Sequence, residues 1–187
     1  EMPADLLRKE RYVGARFDLQ GGVAVPYASQ AFADGYRPGL DVGARLSYPL
    51  AGPLGVTVRM AYRQFGRSDG AYEPFDPGSI DVRGRALSVF AGAAGLDLTA
   101  FRGHWIAFVT AVDAGVYHLA ADEAIPAAQN PFGAASAVAW GGSASVRLSL
   151  RVGSAVRFFL EPSYEVIRAP AGDVHLVPAR VGLSFER

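Results

Sequence analysis

The chain has 187 residues, 18 Lys+Arg against 18 Asp+Glu, and no cysteine. A formal net charge of zero gives nucleic acid no basic excess to bind, and the lack of thiols excludes disulfides and thiolate chemistry. The size fits one domain, and no run of about 18 apolar residues could cross a membrane as a helix.

Residues Glu1–Glu10 are polar and charged, with no apolar stretch of signal-peptide type. They read as a short N-terminal tail whose signal peptide, in an exported protein, has been removed. From Arg11 onward the sequence alternates. Strand one, Arg11–Val25, sets Phe17 and Leu19 against Arg16, Asp18 and Gln20. Successive side chains in a strand point to opposite faces, so this is period two and not a helix. Strand two, Gly39–Leu50, opposes Leu40, Val42, Leu46 and Tyr48 to Asp41, Gly43, Arg45 and Ser47. Strand three, Leu54–Phe65, opposes Val56, Val58, Met60 and Tyr62 to Thr57, Arg59 and Arg63. Strand four, Ala86–Ala100, changes phase between Leu87 and Val89 and the later Leu96 and Leu98, which predicts a β-bulge near Gly92–Gly95.

Strand five, Trp105–Leu119, sets Ile106, Phe108, Val112 and Val116 against Asp113, Gly115 and Tyr117. In strand six, Ala137–Leu150, Val138, Trp140, Val146 and Leu148 oppose Ser143, Ser145 and Arg147. Strand seven, Ala155–Ile167, opposes Phe158, Leu160 and Tyr164 to Arg157, Glu161 and Glu165. Strand eight, Leu176–Phe185, opposes Val181, Leu183 and Phe185 to Arg180, Gly182 and Ser184. Each segment reaches the roughly 9–11 residues that a tilted membrane strand requires.

The connections alternate in length. Ala51-Gly52-Pro53, Arg102-Gly103-His104 and Arg151-Val152-Gly153-Ser154 are tight turns rich in Gly or Pro. Pro26–Pro38, Gly66–Arg85 and Ala120–Ser136 are long, and Ala169–His175 is a modest loop. Short turns on one rim and long loops on the other fit periplasmic turns and extracellular loops, with both termini periplasmic.

Alternation alone would also fit a soluble barrel or sandwich with its apolar face inward. Composition favours the inverted arrangement. The polar face is Gly, Ser, Ala and Arg, and Lys9 is the only lysine. Tyr62, Trp140 and Tyr164 fall near the long-loop rim, and Tyr48, Phe158 and Phe185 near the short-turn rim, as interfacial aromatic girdles would. The prediction is an all-β fold: an eight-stranded antiparallel up-and-down transmembrane β-barrel over residues 11–187.

From Arg11 to Phe185 this pattern resembles the small eight-stranded outer-membrane barrels, such as OmpX and the transmembrane domain of OmpA. The resemblance implies the fold and an outer-membrane location. Members of that family end on an aromatic residue; here Glu186 and Arg187 follow Phe185, so either the assembly signal tolerates two extra residues or the native chain runs on.

An eight-stranded interior is just wide enough for side chains to fill. Arg16, Asp18, Asp41, Arg45, Arg59, Arg63, Asp113, Arg147, Arg157, Glu161, Glu165 and Arg180 all project inward on this phasing and should pair, because an unpaired buried charge costs several kcal/mol. The plainer reading is structural filling; the functional one is a narrow path for ions.

Pro162 and Pro178 lie within strands seven and eight and cannot donate to a ladder, which predicts a weak seam that could admit an apolar ligand laterally. Ala91, Ala93 and Gly95 suggest a flat outer docking face for another membrane protein. His118, near Asp122 and Glu123, is the one acid–histidine cluster placed where the resembling lipid-modifying barrels act, but no serine stands at hydrogen-bonding spacing on its strand. Carboxylates at Asp69, Glu73, Asp76 and Asp81 lack EF-hand spacing. The sequence therefore predicts no catalytic residue, metal or cofactor. The expected partners are outer-membrane lipid, lipopolysaccharide and a protein in the membrane. A structural or interaction component is expected, with a narrow channel or lateral gate as the alternative and a lipid-modifying enzyme as the third class.

Overall fold

The computed structural model describes residues 14–27, 36–66, 87–121, 136–169 and 172–186. Eight strands follow one another: β1 (Arg16–Tyr27), β2 (Gly39–Ala51), β3 (Leu54–Phe65), β4 (Leu87–Arg102), β5 (Ile106–Ala121), β6 (Ser136–Arg151), β7 (Val156–Ala169) and β8 (Gly172–Glu186). Each is antiparallel to its neighbour, and β1 pairs with β8 from Arg16↔Glu186 to Tyr27↔His175, closing the barrel. Closure leaves no edge strand, so the ladders pair the backbone of the wall without water except at short lapses beside Pro162 and Pro178.

The polarity is inverted relative to a soluble protein. Leu40, Val58, Val112 and Val116 are more than half exposed, whereas Arg45, Arg63, Arg147 and Arg180 are buried. The girdle residues Tyr48, Tyr62, Trp140, Phe158, Tyr164 and Phe185 all stand on the outer surface. Phe101 and Trp105, also outward, extend the band at the short-turn rim. The described chain ends share that rim, because Arg16 pairs with both Ser47 and Glu186, and the Glu186 amide donates to the Ala155 carbonyl at 2.9 Å.

Three expectations about the strands are corrected. β4 has no bulge at Gly92–Gly95: its pairing with β3 is continuous from Leu87 to Leu98, and its one register shift, against β5, lies between Thr99 and Phe101. Leu87 and Val89 therefore point inward and Leu96 and Leu98 outward without any change of phase. β8 begins at Gly172, not Leu176, and Ala169↔Gly172 closes the hairpin, so the modest loop shrinks to positions 170–171. Gly172 has φ +133°, a region open to glycine and strained for other residues. β1 starts at Arg16 rather than Arg11; residues 1–13, the predicted tail included, lie outside the described residues.

Candidate functional site: the barrel interior

The interior is layered along the barrel axis. At the short-turn rim, Glu186 accepts from Arg102 Nη2 at 2.6 Å and Arg157 Nε at 3.3 Å. Next inward, Arg16 Nη2 donates to Asp97 at 2.8 Å and to the Ser47 hydroxyl at 3.0 Å. The middle layer centres on Glu161. Arg45 forks onto both of its oxygens at 2.9 and 3.1 Å, and Arg147 Nε donates to it at 2.8 Å. Arg147 also bonds Asp18, and its guanidinium lies 4.0 Å from the Phe159 ring centroid. Asp113 accepts from Thr57 at 2.9 Å and Ser143 at 3.2 Å, with Arg45 and Arg59 each 3.6 Å away.

Above this, Arg63 forks onto Glu165 at 3.0 and 2.8 Å and donates to Asp41 at 2.9 Å. Arg180 donates to the same Asp41 oxygen at 3.0 Å and to the Ser163 hydroxyl at 2.9 Å. The bidentate arginine–carboxylate geometry is the strong form of this interaction. The interior thus gathers every one of the twelve charged residues expected there: Arg16, Asp18, Asp41, Arg45, Arg59, Arg63, Asp113, Arg147, Arg157, Glu161, Glu165 and Arg180. Asp97 joins them, although the sequence reading does not single it out; its outward neighbours Leu96 and Leu98 carried the signal.

Toward the long-loop rim the filling changes character. Phe65, Leu87, Leu119, Ile167 and Leu176 are at most 1% exposed, and with Tyr117 and Tyr36 they form an apolar layer across the lumen. Sequence alternation misses this layer, because there the apolar side chains turn into the lumen while Gln64, Ser88, His118, Arg168 and His175 stand on the outer side, the reverse of the arrangement at the middle of the barrel. A continuous water path would expose the side chains that line it. The midplane arginines Arg45, Arg59, Arg63, Arg147 and Arg180 are instead 0–1% exposed, so the described interior leaves no water-sized passage past them.

The proline seam is interrupted but stitched. The β7·β8 ladder lapses at Ser163 and Tyr164, opposite Pro178 and Val177, and resumes in the same register at Glu165↔Leu176. Pro162 faces outward and Pro178 inward. The Ser163 hydroxyl donates to the Pro178 carbonyl at 3.4 Å, and Arg180 holds that hydroxyl from within.

The expected docking face is corrected. Ala91 and Ala93 are 1% and 6% exposed and point into the lumen with Gly95, because β4 keeps a single phase. The small residues that face outward there are Gly92 and Ala94. His118 is outward between Phe90 and Val138, neither of which can exchange a proton with it; Asp122 and Glu123, like the carboxylates Asp69, Glu73, Asp76 and Asp81, lie outside the described residues. His104 sits edge-on to Trp105 at 5.1 Å, and His175 Nδ1 is 2.7 Å from the Tyr164 hydroxyl. Among the described residues no cluster of three or more His, Asp or Glu could hold a metal.

No protein-family model and no curated protein matches the chain. Solved structures do. The Neisserial surface protein A, NspA, is similar with a TM-score of 0.66 at 12% identity, over 93% of this chain and 97% of its own. OprG from Pseudomonas aeruginosa gives 0.53 at 13%, over 93% and 96%. Ail, the attachment invasion locus protein of Yersinia pestis, in complex with the heparin analogue sucrose octasulfate, gives 0.52 at 15%, over 92% and 99%. At these identities the likeness is one of fold. Closed topology, apolar outer belt and salt-bridged interior together define a small eight-stranded outer-membrane β-barrel. It shares its fold with NspA, OprG and Ail, and its apolar belt with aromatic residues at both rims fits the bacterial outer membrane.

Proposed function

We propose that this chain is a non-enzymatic structural or interaction component of the outer membrane, working through its rim and outer surface and not through its lumen. In this reading the connections after β1, β3 and β5 face outward from the cell, both chain ends are periplasmic, and the partners are lipid, lipopolysaccharide and a protein in the membrane. The observation that carries it is the filled interior: seven buried arginines interlocked with six buried carboxylates, under an apolar layer. Such packing resists solute passage and makes the barrel a rigid frame for what it displays. The alternative of a lateral gate draws on the interrupted seam, but that seam opens onto Glu161, Ser163 and Arg180. An apolar solute would meet ionised groups there.

The test has two arms. Reconstituted in planar bilayers, the protein should give no conductance steps above the bare membrane; steady single-channel steps would replace this reading with the channel. A single cysteine in the β3–β4 connection should react with a membrane-impermeant maleimide on intact cells. Reaction only after lysis would reverse the orientation.

A further inference from the structure

Between β6 and β7 the outer surface is hollowed. The β6·β7 ladder runs in register from Trp140↔Arg168 to Ser145↔Ser163, lapses at Val146 and Arg147 opposite Pro162 and Glu161, and resumes at Leu148↔Leu160. Pro162 has no amide hydrogen to give, so the pairing lapses beside it. Above that point the outward residues of β6 are Gly142 and Ala144, too small to fill the surface between Val146 and Trp140. Two hollows result, of about 400 and about 380 Å³, and they share Ala144 and Tyr164. The lower one is bounded by Val112, Val146 and Pro162; the upper one ends at Trp140 and Arg168.

The upper end is charged. The Arg168 guanidinium stands 4.9 Å from the Trp140 ring centroid, one residue before β7 ends at the long-loop rim. Asp173 is its register partner on β8, on the side away from the groove. His175 holds the Tyr164 hydroxyl at 2.7 Å and so fixes the aromatic wall. An apolar furrow that descends from a cation at the membrane interface matches an acyl chain whose headgroup bears phosphate: the furrow takes the chain, and the guanidinium takes the phosphate oxygens.

We propose that the β6–β7 groove seats one acyl chain of a phosphorylated glycolipid of the outer leaflet, lipid A, with Arg168 holding a phosphate. The choice of leaflet rests on the orientation proposed above; the groove itself does not.

The two tryptophans allow a direct test. In a Trp105→Phe background, Trp140 at the groove mouth is the sole reporter. The full chain is refolded into vesicles of phosphatidylcholine with brominated acyl chains, which quench Trp140, and lipid A is titrated in. Lipid A should relieve the quenching at a mole fraction about tenfold below that needed with dephosphorylated lipid A, the scale of one charge-assisted hydrogen bond. Arg168→Gln should abolish that preference. Ala144→Phe should prevent relief in a barrel that still migrates as the compact folded band, while Met60→Phe, outward on β3, should change nothing. Equal potency of dephosphorylated lipid A, or an unaltered Arg168→Gln titration, overturns the proposal. Relief by inorganic phosphate alone overturns it too, since Arg168 would then be a free-anion site. Vesicles admit lipid A to both leaflets, so a failed orientation reading leaves these outcomes unchanged and is detected separately by the maleimide assay.

Discussion

Replacing Glu161 by glutamine keeps the shape of the side chain and removes one negative charge from the middle of the barrel. Arg45 at 2.9 Å, Arg147 at 2.8 Å and Arg180 at 3.5 Å all converge on that carboxylate, and none of the four side chains is more than marginally accessible. Each arginine keeps a second acid: Asp113 at 3.6 Å for Arg45, Asp18 for Arg147 and Asp41 at 3.0 Å for Arg180. Removing one partner of a buried pair costs about 3–5 kcal/mol, and the retained carboxylates place Glu161→Gln at the lower end, about 3 kcal/mol. The internal comparison is Arg102→Gln. It breaks a pair of similar geometry, 2.6 Å to Glu186, but its side chains are 18% and 23% exposed at the rim, so the expected loss is under about 1 kcal/mol. Urea unfolding from lipid vesicles, followed by tryptophan emission and by the gel mobility of the folded band, measures both. If Glu161→Gln loses no more than Arg102→Gln, water reaches the middle of the barrel and screens its charges as it does at the rim.

Three further outcomes are expected in the same unfolding assay. Val112→Arg places a guanidinium on the lipid face and should cost about 2–4 kcal/mol if Val112 lies near the membrane midplane; a negligible change would mean that this face meets water. Ser163→Ala removes both the hydroxyl donated to Pro178 and the acceptor used by Arg180, and should cost roughly 1–3 kcal/mol; an unchanged midpoint would show that the seam needs no stitching. A Cβ added at Gly182 would meet the Leu19 backbone carbonyl first and then the Phe159 ring at 2.6 Å, so Gly182→Ala should lose about 1–3 kcal/mol through overpacking, and an unaffected stability would show that β1 and Phe159 both make room for it.

The strand faces were legible wherever the two sides differ chemically. Strand seven shows this best: Phe158, Leu160 and Tyr164 against Arg157, Glu161 and Glu165 admits one phase only, and the structure keeps it. Strand four shows the failure. Leu87 and Val89 belong to the apolar layer inside the barrel, so hydrophobicity at that rim does not distinguish lipid from lumen. The same ambiguity turned Ala91 and Ala93 into an apparent outer face. In strand eight, Gly172 to His175 looked like loop because turn-like composition is all a sequence displays there, whereas the two-residue hairpin needs the facing strand to be recognised.

Alternation and composition were enough to define an inverted barrel, because a period of two and a near-absence of lysine are local properties of the chain. They also named the charges of the lumen. Which charges meet was another matter. Arg180 grips Asp41 across 139 positions of sequence and Arg147 grips Asp18 across 129, contacts set by how far the strands slide past one another as the sheet closes. Shear and closure are global, so the pairing of the network, the apolar layer above it and the furrow beside Pro162 exist only once the eighth strand has met the first.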